Sequence, residues 1–228
     1  MDFSVLQDDI TYLLWGTFPE GPLAGAALTV IMSICSALIA LIFGIAAGVT
    51  LVLHRGKKTA TILEMVCSFL RSIPVIMLFF WAYYMLPIAF NLHISALLTV
   101  IVSLGLIYAA YVAQIVSAGF YAVGQGQWSA ALSLGLTRWQ ATRYIILPQA
   151  LRMMSPSLVN QGIALIKDTS LAYILNGVDE LMRLSEQVNG RLIVYPFEVF
   201  IFSGSIYLLM CGSLEIFGAL LQRKLKNR

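Results

Sequence analysis

The chain has 228 residues, 60% of them hydrophobic and only 11% charged, with a mean hydropathy of +0.87; soluble domains carry about 25% charged residues, so a soluble globular fold is excluded and an integral membrane protein indicated. The net charge of +3 comes without any Lys/Arg cluster interleaved with aromatic residues, which excludes nucleic-acid recognition by stacking. Cys35, Cys67 and Cys211 stand singly inside apolar stretches, which excludes the paired spacing of a zinc site or a disulfide framework.

The first residues carry Asp2, Asp8, Asp9 and Glu20 and no Lys or Arg. A cleavable signal needs a basic n-region and a short apolar core, so this segment is expected to be retained. About 20 apolar residues cross roughly 30 Å of hydrocarbon at 1.5 Å per residue. Residues 21–53 contain no Asp, Glu, Lys or Arg and are expected to form the first span. Within it Gly44 and Gly48 make a GxxxG pair, which lets a second helix come close or arises by chance in a Gly-rich chain.

The loop after this span holds Arg55, Lys57 and Lys58. Gly56-Lys57 lacks the upstream Gly and the following Ser or Thr of a phosphate-binding loop, so the chain has no ATP site of its own. A second span is expected over about 60–86 and a third over about 94–121, divided at Leu86–His93, where Pro87 and Asn91 mark a turn. Arg71 falls within the second span, ahead of the natural kink at Pro74. Its fork of donors suits a carboxylate. It either receives a substrate or pairs with Glu64, seven residues earlier on a similar face, or snorkels inward.

Residues of about 124–148 are too short and too broken to be another span. Gln127–Leu134 is a run of good helix formers, and Gly135 supplies the left-handed residue that ends it. Thr137-Arg138-Trp139-Gln140 fits the S/T-x-x-Q capping box that starts a second helix. Pro148 is expected to end it, since Leu147 before a proline is biased away from the helical region. Trp128, Trp139 and Tyr144 are expected as interfacial aromatics. Such a pair of helices is either an amphipathic anchor on headgroups or a docking element for a partner.

A fourth span over about 153–175 is interrupted by Lys167 and Asp168, and a fifth covers about 194–221, with Glu198 and Glu215 as boundary or packing groups. Ionisable groups inside a span cost about 2.5 to 3.5 kcal/mol each and by default line a functional cavity. Adjacent helical residues point about 100 degrees apart, so Lys167 and Asp168 have different partners. Thr169 and Ser170 hydrogen-bond either a zwitterion or the helical carbonyls behind them. No internal repeat interrupts the sequence, so one domain over 1–228 is the simplest organisation. Ten Lys and Arg lie beside spans on one side (55–58, 138–152 and 223–228) and only Arg183 and Arg191 on the other. Cytoplasmic loops hold that excess, which puts the N-terminus outside, the C-terminus inside and the 124–148 segment in the cytoplasm.

Gly126–Arg152, GQWSAALSLGLTRWQATRYIILPQALR, resembles the EAA loop of binding-protein-dependent ABC importer permeases. Ser129-Ala130-Ala131 stands for the E-A-A triplet, Gly135-Leu136 for its glycine elbow and Ile146-Leu147-Pro148 for the late hydrophobic-Leu-Pro. LRSIPVIMLFFW (70–81), YAAYVAQIVSAGF (108–120) and KDTSLAYIL (167–175) resemble the polar amino acid branch, most closely its glutamate/aspartate importers. Two departures stand out: Ser129 replaces the family's Glu, so an ion pair made there with an ATPase is absent, and Gln114 and Ser117 replace its common Glu and Arg.

The resemblance implies an all-α integral membrane fold of five transmembrane helices with a cytoplasmic coupling-helix loop, as in type I ABC importer permeases. It implies a non-catalytic permease subunit in the cell inner membrane that moves polar amino acids inward. ATP and Mg would be handled by a separate ABC ATPase docked on Ser129, Ala130, Ala131, Gly135, Leu136, Leu147 and Pro148. Further partners are a second permease subunit, identical or not, and an extracytoplasmic solute-binding protein. Arg71, Lys167, Asp168, Thr169 and Ser170 are the substrate-binding candidates. The alternatives are an ion-driven amino acid carrier needing no ATPase, and a membrane enzyme. The chain lacks the internal inverted repeat usual in such carriers. It also lacks any Ser/His/Asp, H-E-x-x-H or cysteine nucleophile arrangement.

Overall fold

The computed structural model of the chain describes residues 9–91, 93–192 and 195–226. Asp2, Asp8, Val194 and Arg228, which entered the reading of orientation and span limits, lie outside the described residues, as does the Lys226 side chain. Every named element is helical: α1 (Ile10–Trp15), α2 (Gly25–Leu53), α3 (Lys58–Ser72), α4 (Val75–Phe80), α5 (Leu86–Phe90), α6 (Ala96–Ala122), α7 (Gln125–Ser133), α8 (Arg138–Ala141), α9 (Leu147–Asp168), α10 (Leu181–Leu192) and α11 (Pro196–Lys226). Single π-helical turns, Trp81–Met85 and Thr142–Ile146, join α4 to α5 and α8 to α9, and a 3₁₀ segment, Thr169–Ile174, follows α9.

Among the described residues, α2, α6 and α11 are long and apolar enough to cross a membrane, and the broken pair α3 with Val75–Phe90 makes up to four. The expected second span is not continuous. Ile73 and Pro74 are extended, with ψ of 131 and 132°, because the proline ring drives the residue before it out of the helical region. Of the two residues expected to mark the turn within Leu86–His93, Asn91 does so and Pro87 does not. Pro87 follows the π turn Trp81–Met85, whose wider ladder accommodates its missing N–H, and left-handed Asn91 (φ 50°) closes α5. The fourth span is expected where α9 stands. Ser155, Ser157, Asn160 and Gln161 keep α9 below the apolarity of the other three.

The chain divides into two compact units. The first comprises residues 1–37, 74–105 and 163–213. Its core joins Leu13, Ala24 and Ala26 to Leu181, Leu184, Val188 and Val199. Helix α10 is amphipathic by its sequence: Leu181, Leu184, Ser185 and Val188 face inward at helical spacing. Its outer face holds α1 through an Arg191–Asp9 ion pair of 2.7 Å and a Tyr12–Gln187 hydrogen bond of 2.9 Å. Buried hydroxyls bond within the unit, Ser185 to Ser203 at 2.6 Å and Ser36 to the Ile101 carbonyl at 3.2 Å.

The second unit comprises residues 38–73, 106–162 and 214–228. Here the GxxxG pair is a packing device: a Cβ placed on Gly44 or Gly48 would lie 2.6 Å from the Cβ of Val112 or Val116. Its core gathers Val112, Val116, Phe120, Ile146, Ala150 and Met154. Pro156 lies inside α9, so the Arg152 carbonyl loses its usual N–H partner. The Ser155 hydroxyl donates to that carbonyl instead, at 3.0 Å.

Candidate functional site

Two features of the second unit concentrate polar chemistry: the helix pair over 124–148 and a cavity around Arg71. The helix pair begins at Gly124 (φ 81°) and runs through α7 to a tight C-terminus. Gly135 is left-handed (φ 79°), with its N–H on the Leu132 carbonyl at 3.0 Å and the Leu136 N–H on Ala131 at 3.3 Å. Nothing lies within 4 Å of a Cβ built there. Glycine is therefore required by backbone conformation and not by crowding.

The predicted capping box is present in both directions. The Thr137 N–H donates to Gln140 Oε1 at 2.9 Å and the Gln140 N–H to Thr137 Oγ1 at 3.2 Å. One expectation is corrected. Pro148 does not end the second helix: Leu147 is helical (φ −58°, ψ −44°), and the path continues through the π turn Thr142–Ile146 into α9. The wider π ladder accommodates a residue that has no N–H to give.

Burial sorts the motif residues. Ala131, Ala141 and Ile146 are fully buried, whereas Ser129, Ala130, Gly135 and Pro148 are exposed and Leu136 and Leu147 half-buried. Trp128 packs on the core with Phe120 and Ile146, unlike the interfacial place expected for it. Trp139 and Tyr144 are 61% and 70% exposed, and Leu134 78%. The segment therefore leaves an apolar and aromatic face uncovered by the rest of the chain. Gln149 Nε2 fastens α9 to α7 through Gln127 Oε1 at 3.3 Å.

Arg71 lines a cavity of about 200 Å³ with Glu64, Cys67, Gln114, Ser117 and Tyr121 among its neighbours. Its Nη1 donates to Gln114 Oε1, its Nε to the Cys67 carbonyl at 3.3 Å and its Nη2 to Ser68 Oγ at 3.3 Å. Among the described residues it forms no ion pair with Glu64; its guanidinium meets the Gln114 amide from α6 instead. Of its five N–H groups, two remain for another acceptor. Gln114 also borders a second cavity of about 340 Å³, lined by Gly119, Met153, Met154 and Ser157. Glu64, Gln114 and Ser117 were not sequence candidates; the i, i+7 spacing of Glu64 and Arg71 was the available signal for the first.

Lys167, Asp168, Thr169 and Ser170 belong to the first unit, at the end of α9. Thr169 Oγ1 donates to the Ile166 carbonyl at 2.6 Å and Ser170 Oγ to the Lys167 carbonyl at 2.7 Å. Both hydroxyls bond carbonyls at the end of the helix. Thr169 is buried, Asp168 half-buried and Lys167 exposed. Among the described residues no group of His, Cys, Asp and Glu is arranged to hold a metal ion.

Residues 40–227 match the sequence profile of the binding-protein-dependent transport system inner membrane component. The chain belongs to that family. Within it, the chain is 31% identical to the glutamate/aspartate import permease protein GltK of Escherichia coli O6:H1, over 98% of this chain and 97% of that protein. It is also 31% identical to the arginine transport system permease protein ArtQ of Bacillus subtilis, over 92% and 96%. The fold is shared with a crystallised amino acid ABC transporter solved with histidines, at a TM-score of 0.84 and 24% identity over 98% of this chain and 99% of that one. It is shared as well with the inward-facing MetNI methionine ABC transporter, at 0.76 and 22% over 87% and 93%. The all-helical membrane architecture expected of this permease family is therefore the one observed.

Proposed function

We propose that the chain is the membrane-spanning permease subunit of an ATP-driven importer of polar amino acids, with glutamate and aspartate as its first candidates. The observation that carries this reading is the helix pair with its uncovered face, Gly135-elbowed and Thr137–Gln140-capped, in a family of binding-protein-dependent transport components. As one permease domain over 1–228, it crosses the inner membrane five times, α9 supplying the fourth crossing, with the N-terminus outside.

The helix pair is the docking element for a separate ABC ATPase, which holds ATP and Mg²⁺ and performs hydrolysis. Ala131, Gly135 and Leu136 set its shape, Leu147 and Pro148 join it to α9, and Ser129 and Ala130 are on its open face. A second permease subunit completes the path, and an external solute-binding protein delivers the substrate. Arg71 offers its two remaining N–H groups to the α-carboxylate, and Glu64 in the same cavity faces the α-ammonium. Such an arrangement reads the backbone shared by all amino acids and leaves side-chain preference to neighbours such as Gln114 and Ser117. Lys167 and Asp168 contribute charge to the path, with Thr169 and Ser170 shaping the backbone that presents them.

The test is reconstitution of the chain in proteoliposomes with an ABC ATPase and a solute-binding protein from the same organism. ATP-dependent accumulation of glutamate or aspartate supports the reading. Accumulation by the chain alone, driven by an ion gradient, would establish a carrier instead.

A further inference from the structure

Glu180, in the lead-in to α10, is a carboxylate with no solvent contact, at 0% exposure. Its Oε2 accepts the Met182 N–H at 2.8 Å and the Tyr207 phenol at 2.9 Å, and its Oε1 accepts the Arg183 N–H at 2.8 Å. The backbone beside it is tied to α2. Gly25 and Glu180 form an isolated parallel bridge, the Gly25 N–H donates to the Asp179 carbonyl at 2.8 Å, and the Leu181 N–H donates to Thr29 Oγ1 at 3.1 Å. One side chain therefore joins α10 to α11 at the point where backbone bonds join α10 to α2, all within the first unit.

The charged and titratable groups facing it are Arg183 on its own helix and Tyr207 from α11. Among the described residues, α2 and the 3₁₀ segment contribute the Thr29 and Thr169 hydroxyls, which bond the Tyr207 phenol. Arg183 does not pair with the carboxylate: its guanidinium bonds the Tyr173 carbonyl at 3.3 Å and Asn176 Oδ1 at 3.2 Å. Burial of the charge outweighs the donors and pushes the Glu180 carboxyl up to about 7.

We propose that Glu180 is a positioning residue acting as a proton-held latch, which fastens α2, α10 and α11 of the first unit while protonated and favours their parting as it ionises. A proton on Oε1 weakens the Arg183 N–H contact and leaves both acceptor contacts of Oε2 in place, so the neutral acid keeps the Tyr207 and Met182 bonds without a buried charge. The ionised acid gains most by hydration, which requires the first turn of α10 to separate from its neighbours. Once hydrated, the carboxyl returns to its ordinary value of 4.5. Because its value is raised in the closed arrangement, closure is favoured most below pH 4.5 and loses that advantage as pH rises towards 7.

Amide hydrogen exchange of the full chain in lipid nanodiscs tests the latch, read as protection of the amides of residues 181–186 after correction for intrinsic exchange. Between pH 5.5 and 8 the opening constant is expected to rise about 30-fold by linkage and to stay flat in Glu180→Gln, which keeps the shape and cannot titrate. A flat native profile, or an equal slope in Glu180→Gln, overturns the proposal. Should Glu180→Gln not fold, infrared absorption of the buried protonated carboxyl in the native protein reads the same titration. Its absence at pH 5.5 overturns the proposal, as does an unmoved midpoint in Tyr207→Phe, which removes a donor to the ionised form and should shift titration to higher pH. No ATPase, binding protein or substrate enters these measurements, so their outcome is independent of the importer reading.

Discussion

The backbone of Gly48 lies so close to Val116 that a Cβ on the glycine would stand 2.6 Å from the valine Cβ and 2.8 Å from the Ala113 carbonyl oxygen. The same contact recurs four residues earlier between Gly44 and Val112. Two helices meeting backbone to backbone in this way gain dispersion contacts that lipid cannot replace. Gly48→Leu is expected to force them apart and cost about 1–3 kcal/mol, as overpacking does. Gly204→Ala, in open space, should leave stability unchanged or slightly raised. Thermal unfolding in detergent distinguishes the two; equal melting temperatures would contradict the close approach.

Gly135 separates conformational need from steric need, since it is left-handed with empty space around it. Gly135→Val should therefore cost about 1–2 kcal/mol through its backbone alone and abolish ATP-driven uptake while membrane insertion persists. Gly135→Asn, which tolerates the left-handed region, should retain much of the uptake. Full uptake in the valine variant would show that the elbow is not needed for transport.

Thr137→Ala is expected to lower the local stability of α8 by about 1 kcal/mol, the usual worth of an N-cap. Because Thr137 and Gln140 serve each other, the double variant with Gln140→Ala should cost less than the two singles added together. Protease accessibility near Arg138 and Arg143 measures this. Strict additivity would mean the two bonds form independently.

Gln114→Glu places a carboxylate against Arg71, whose Nη1 already reaches that side chain. The stronger pair should hold the guanidinium away from substrate and raise the KM for uptake about tenfold, the loss of one charged hydrogen bond. Arg71→Ala should raise it at least as much. Unchanged KM in both variants would remove this cavity from the substrate path.

The parts legible in the sequence are those decided within a few residues. Charge-free stretches pointed to α2 and α6 and an apolar run with two acids to α11, and the glycine elbow and capping box followed from Gly135 and from Thr137 with Gln140. What escaped depends on distant partners or on a shift of one residue. Pro148 read as a stop because the residue before a proline is biased away from the helical region, yet Leu147 stays helical after the π turn. Gln114 drew notice only as a departure from the family pattern, since nothing local says that α6 brings it to Arg71. Glu180 did not stand out at all. It is one acid in a polar stretch, and its meaning depends on Tyr207, 27 residues away, and on a Thr29 bond to the next residue that spans 152.

The π turn at Thr142–Ile146 also fixes an azimuth. Each residue of an α-helix turns the path by about 100°, and a π turn holds one residue more than a regular ladder would. Trp139 and Tyr144 therefore look outward along a direction set by the number of residues before Leu147, as much as by their own chemistry. Removing one residue there would leave every motif side chain intact and swing the exposed face out of phase with α9.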